Sequence, residues 1–146
     1  MAEEILIAAD HAGYELKQRL EAELKKLGFG VKDFGTNSSE STDYADFAHP
    51  LAKEISEGRA KRGVLLCGTG LGMSYVANRY PRVRGAVSWT PEVAELSRRH
   101  NDSNVLILPS RYVSDDQAVV ILKAWLGAPF DGGRHERRVE KIDDKP

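Results

Sequence analysis

Scarcities narrow this chain before any motif does. A single cysteine, Cys67, stands among 146 residues, so no disulfide can close within the chain. Charge of one sign is also missing: 21 Lys and Arg face 22 Asp and Glu, and no net field draws the chain to nucleic acid or to a membrane surface. No apolar run approaches the roughly 20 residues of a bilayer span. Linkers, repeats and low-complexity tracts are absent, which leaves one domain over residues 1–146, long enough to bury a core. Near the start stand Glu3 and Glu4 where a secretory leader would be basic, so the cytoplasm is the expected compartment.

Two further absences concern the glycine-rich stretch Cys67-Gly68-Thr69-Gly70-Leu71-Gly72-Met73-Ser74, which follows the apolar run Gly63 to Leu66. No lysine occurs between Lys61 and Lys123, which excludes the phosphate loop of nucleotide hydrolases. Met73 stands where the dinucleotide fingerprint needs its third glycine, and the ribose-reading acid about 20 residues further on is missing. What remains is a strand, a turn whose backbone N–H groups can converge, and a helix start, with a thiol at the lip. Such a turn either stabilises a small anion or a developing negative charge, or is a tight connection beside a buried structural cysteine.

Strand and helix alternate along the chain. Ile5 to Ala9 reads as a buried strand and Gly13 to Leu27 as a helix with Leu16, Leu20, Leu24 and Leu27 on one face. Val31 to Phe34 is a second strand, and a polar loop leads to a helix over Tyr44 to Glu57, which Pro50 should kink or delay. Gly63 to Cys67, Arg84 to Ser88 and Val105 to Leu108 complete five strands; Thr90-Pro91 and Ser114 mark helix starts. The fold class is therefore α/β: a Rossmann-like, doubly wound α/β/α sandwich on a five-stranded parallel sheet, with a C-terminal arm over 130–146. A flavodoxin-like strand order 2-1-3-4-5 would bring Asp10 and His11 opposite Cys67 at the carboxyl edge, where ligands bind in such sheets.

The remaining polar candidates each admit two readings. Asp10 and His11 could hold a sugar hydroxyl and a phosphate, or cap a helix and sit in solvent. His100, before Asn101, could be a general acid or base, or a cation favoured by a helix C-terminus. Tyr44 could stack on a sugar or staple its helix. Arg134 and Arg138 are four apart, sharing a helix face suited to phosphate, or belong to a solvated face.

Taken in order, Asp10-His11-Ala12-Gly13, Thr42-Asp43-Tyr44, the segment from Cys67 with Ala77-Asn78, the run Ser97 to Leu106, and Gly132-Gly133-Arg134-His135 with Arg138 resemble the type B ribose-5-phosphate isomerase family over nearly the whole chain. The resemblance implies interconversion of ribose 5-phosphate and ribulose 5-phosphate without metal or organic cofactor. It implies a homodimer with shared sites, or a tetramer built from it, whose ligand is a small sugar phosphate, with no nucleic acid and no membrane. Carried over by residue, Cys67 resembles the base that moves the proton, assisted by Thr69, with amides of Gly68, Gly70, Leu71 and Gly72 around the enediolate. His100 with Asp10 resembles the ring-opening pair, Asn101 and Tyr44 the sugar contacts, and His11, Arg111, Arg134 and Arg138 the phosphate clamp, the last two from the partner subunit. A second branch of the family carries a carboxylate base in the loop, but no Asp or Glu occurs between residues 67 and 80. Departures from the family pattern are Ala45, Trp89 and Pro109, the last expected to stiffen the approach to Arg111. Alternatives are isomerisation of allose 6-phosphate or another six-carbon sugar phosphate, and a flavodoxin-like binding module without catalysis.

Overall fold

The structure is a computed structural model that describes residues 2–146. Its strands are β1 (Glu4–Ala9), β2 (Gly30–Asp33), β3 (Arg62–Cys67), β4 (Gly85–Val87) and β5 (Val105–Pro109). The helices are α1 (Tyr14–Lys26), α2 (Tyr44–Ser56), α3 (Leu71–Ala77), α4 (Pro91–Asn101), α5 (Asp115–Gly127) and α6 (Arg134–Glu140), with a 3-10 turn at His11–Gly13 before α1. All strand pairs are parallel.

The strand order is β2-β1-β3-β5-β4, which corrects the expected 2-1-3-4-5 at its last two places. Composition explains the exchange. Val105 to Leu108 is apolar without a break and fully buried, as a central strand of a covered sheet must be. The three half-buried residues of β4 make an edge. Crossover handedness agrees: α1 and α4 pack on one face and each returns the chain toward the β2 side, while α2 and α3 pack on the other face and carry it outward.

Side chains alternate between those faces with the period of two that a strand dictates. Ile5, Ile7, Val64, Leu66, Leu106 and Leu108 meet α1, α4 and α5. Leu6, Leu65, Cys67 and Ile107 meet α2 and α3. Helix α2 begins at Tyr44 and runs through Pro50. Leu51 and Ile55, 0% and 5% exposed, each contribute about 1.5–3 kcal/mol by burial, which offsets the roughly 3 kcal/mol that an interior proline costs. Thr90 Oγ1 accepts from Val93 N–H at 3.1 Å with Pro91 in the first helical position. Ser114 and Gln117 form a reciprocal capping box, at 2.8 and 3.1 Å.

Candidate active site

Adjacent parallel strands deliver the first residues of the site together. Ala9 pairs with Leu66, so Asp10 and Cys67 leave β1 and β3 side by side, and Asp10 N–H donates to Leu66 O at 3.2 Å. The Asp10 carboxylate is buried and accepts from Ala12 N–H at 3.0 Å and Gly13 N–H at 3.3 Å, both on Oδ1. Asp10 thus caps the turn, and Oδ2 is the oxygen that points elsewhere. A Cβ on Gly13 would lie 2.6 Å from Leu66 Cβ, so glycine lets this turn rest directly on β3. His11 is held rather than solvated. Its N–H donates to Thr42 Oγ1 at 3.1 Å, and Thr42 N–H donates to its Nδ1 at 3.1 Å. An Nδ1 that accepts places the ring proton of the neutral imidazole on Nε2.

Cys67 ends β3 as a buried residue, 4% exposed, on the α2 and α3 face. Beyond it, Arg111 folds back over the loop. Arg111 N–H donates to Gly68 O at 3.1 Å, and a Cβ on Gly68 would meet the guanidinium at 3.0 Å. Gly70 has φ of +78°, the left-handed conformation that turns the loop into α3. Thr69 Oγ1 accepts from Leu71 N–H at 3.2 Å. The Tyr44 ring covers Gly72 so closely that a Cβ there would lie 2.6 Å from it. Pro109, opposite Cys67, closes a turn by accepting from Tyr112 N–H at 2.9 Å, so the stiffened segment is the one that returns Arg111 to the loop.

Sequence reasoning passed over Ser110. Its N–H donates to Cys67 O at 2.9 Å, and its hydroxyl lies 3.1 Å from Cys67 O and 3.0 Å from Ala12 O, joining the loops after β1, β3 and β5. A serine directly after a central apolar strand was the available signal.

The other predicted residues lie elsewhere. His100 and Asn101 end α4, and helices in a parallel sheet run against the strands. Val105, which opens β5 soon after, pairs with Gly63, whereas Cys67 pairs with Pro109 at the far end. At roughly 3.3 Å per residue, the four steps of β5 put about 13 Å of sheet between the two edges. One chain therefore does not bring His100 to Asp10. The arm returns to the amino edge as well. Asp131 N–H donates to Arg99 O at 3.0 Å, and the Asp131 carboxylate pairs with Arg99 at 3.2 Å. The His135 ring stacks on His100 with centroids 4.3 Å apart and planes 11° from parallel. Loss of hydration, then His100, Arg134 and Arg138, hold His135 below the usual imidazole range. Arg134 and Arg138 remain exposed on α6.

The amino edge also opens a cavity of about 470 Å³ among Arg62, Arg82, Arg84 and Arg98. Those guanidiniums donate to Leu126 O, Ser56 O, Asp102 O and Ser103 O, at or just beyond the ends of α5, α2 and α4, so their donors are largely engaged. No helix among the described residues is long and apolar enough to cross a membrane.

The family model described as Ribose/Galactose Isomerase matches residues 5–142. The chain is 46% identical over 138 residues to ribose-5-phosphate isomerase B of Escherichia coli K12, covering 94% of this chain and 93% of that protein. Among solved structures, a ribose 5-phosphate isomerase from Thermotoga maritima superposes with a TM-score of 0.96 at 47% identity, over 99% of this chain and 100% of that one. A ribose-5-phosphate isomerase B from Mycoplasma genitalium, with bound ribulose-5-phosphate, gives 0.93 at 40% identity, over 97% and 95%.

Proposed function

Because the chain belongs to the ribose/galactose isomerase family, we propose that it interconverts D-ribose 5-phosphate and D-ribulose 5-phosphate through an enediolate, in the pentose phosphate pathway of the cytoplasm. The observation that carries this reading is the end of β3: a thiol at a glycine loop, beside Asp10, with no carboxylate between residues 67 and 80. The relative with bound ribulose-5-phosphate supports the five-carbon substrate.

The chemistry has to open a ring, remove a weakly acidic C–H proton and return it to the neighbouring carbon. The thiolate is the form that takes a proton, and an ordinary thiol, of pKa about 8.5, is only about 3% thiolate at pH 7. Cys67 takes the proton from C2 of the open aldose, leaving the enediolate, and returns it to C1, with Thr69 assisting. A thiolate is a weak base for a sugar carbon. Most of the barrier lowering therefore falls to the amides of Gly68, Gly70 and Gly72 around the developing oxyanion, worth about 3–4 kcal/mol per donor in comparable holes, joined by that of Leu71 once it leaves Thr69 Oγ1.

Asp10 Oδ2 and Tyr44 take sugar hydroxyls, while His11 Nε2–H and Arg111 take phosphate. Ring opening pairs Asp10 with His100, which a single chain leaves at the opposite edge of the sheet. The functional unit is therefore a homodimer in which the partner's His100 and Asn101 reach the ring, and the partner's Arg134 and Arg138 close on the phosphate. Remote phosphate binding of this kind positions the reacting end.

Coupled assays of ribose 5-phosphate against allose 6-phosphate on the purified protein test the activity. A kcat/KM at least as high for allose 6-phosphate would reject the five-carbon reading, and no turnover of either would reject isomerisation.

A further inference from the structure

The arm is held to α4 in an unusual way for a segment that must present two arginines. Helix α6 has seven residues, too few to be stable by its own hydrogen bonds. Its one buried side chain is His135, 9% exposed, stacked face to face on His100 at 4.3 Å. Among the described residues no side-chain hydrogen bond holds either ring, so the stack itself orients His100. We infer that His135 is a positioning residue: through the stack it fixes the plane of the His100 imidazole and carries Arg134 and Arg138 into place, so that acid, base and phosphate clamp arrive as one preassembled piece. This rests on the proposed function for what His100 does, but the stack can be tested without it.

The protonation state of His135 matters to this role. A general acid and base must gain and lose a proton during turnover, and a cationic ring 4.3 Å away would oppose each gain. The charged or titratable groups that bear most on His135 are His100 from α4, which stacks on it, Arg134 and Arg138 from its own helix, and Asp131 from the preceding loop. Three are cationic or become so on protonation, only Asp131 favours the cation, and His135 stays neutral around pH 7. As pH falls below the ordinary imidazole value of about 6.5, His135 comes under pressure to protonate against the cations around it, and the arm should loosen.

His135→Ala should lower kcat for ribose 5-phosphate by roughly tenfold or more, the scale of a displaced acid–base group. It should affect open-chain ribulose 5-phosphate less and raise KM for both. His135→Phe keeps a flat ring without titration; it should restore most of kcat and flatten the fall in kcat/KM below about pH 6.5. In NMR spectra, the His100 ring protons should show a ring-current shift that persists in His135→Phe and vanishes in His135→Ala. A folded His135→Ala enzyme with unchanged kcat and KM overturns the inference, as does a folded His135→Phe enzyme no better than His135→Ala. If His135→Ala fails to fold, His135→Phe and the ring-current shift of the unaltered protein decide. Should the unaltered protein not isomerise pentose phosphates, the functional reading falls, while the NMR comparison still judges the stack.

Discussion

The two edges of the sheet carry two different kinds of site. At the carboxyl edge, Asp10, His11, Cys67 and Arg111 are fastened by backbone bonds between three loops, with glycines where neighbouring groups leave no room for a Cβ. At the amino edge, His100, Arg134 and Arg138 depend on a short helix seated by one imidazole. The first is rigid because every turn is tied to a fully buried strand. The second is a surface feature, ordered by one ring stack, two polar contacts from Asp131 and, just beyond α6, the Arg82 N–H bond to the Asp143 carboxylate at 2.8 Å. A reaction that needs a fixed oxyanion hole but a removable clamp suits this division: preorganisation belongs where charge develops, and mobility where substrate enters.

The largest expected break lies at the rigid edge. Cys67→Ser should cost 10²–10⁴-fold in kcat, the range of a lost general base, with little change in substrate affinity measured by calorimetry. A variant that keeps more than about a tenth of kcat would remove Cys67 from the base role. Next comes the soft edge. Arg134→Ala with Arg138→Ala should raise KM by tenfold or more, since each charge-assisted phosphate bond is worth about 1.5–3 kcal/mol, while the melting temperature stays nearly unchanged. If the two edges meet only across a dimer, mixing this variant with Cys67→Ser should recover about a quarter of wild-type sites. Half of randomly exchanged dimers are mixed, and each rebuilds one site of two. Subunit exchange must be shown first by a concentration-dependent size measurement; exchange without recovered activity would place Cys67 and the two arginines in the same subunit's site.

A third expectation is structural. Gly13→Ala should destabilise the fold by about 1–3 kcal/mol in chemical unfolding, the usual cost of forcing a methyl into a packed contact, because its Cβ would lie 2.6 Å from Leu66 Cβ. An unchanged midpoint would mean that the turn can lift off β3.

The element pattern was legible because buried strands and amphipathic helices leave periodic traces, and because Thr90-Pro91 and Ser114 with Gln117 are local signals. The strand order differs from the expected one for a reason already present in the letters: Arg84 to Ser88 is too poor in large apolar side chains to lie between two covered strands. The neighbourhood of Asp10 and Cys67 followed from topology. The separation of His100 from them was also implicit, since a residue at a helix C-terminus in a parallel sheet belongs to the amino edge. The family likeness groups these residues by role, not by edge. Ser110 left one trace, its place directly after a central apolar strand, whereas the stack of His135 on His100 is a contact that no spacing encodes.

The smallest effect is one of sign, and it separates the edges by pH. On the carboxyl side, buried Lys17 pairs with Asp33, which also accepts from Gly35 N–H at 2.7 Å in the loop that leads toward Thr42. Glu21 joins this cluster, and burial followed by its hydrogen bond and repulsion with Asp33 push its carboxyl up to about 7. A carboxyl whose folded pKa is raised favours folding while protonated. Its contribution is full below the unfolded value of 4.5 and lost as pH rises through about 7. His135 runs the other way, because a lowered imidazole favours folding above its unfolded value of 6.5 and loses that contribution as pH falls. Glu21→Gln, neutral at all pH, should therefore flatten the decline in melting temperature between pH 5 and 8 by a few degrees, as about 1 kcal/mol does in a domain of this size. It should leave the acid-side loosening of the arm, read by hydrogen exchange in α6, untouched. If Glu21→Gln changed both, the two edges would be coupled through the sheet, and their independence would be lost.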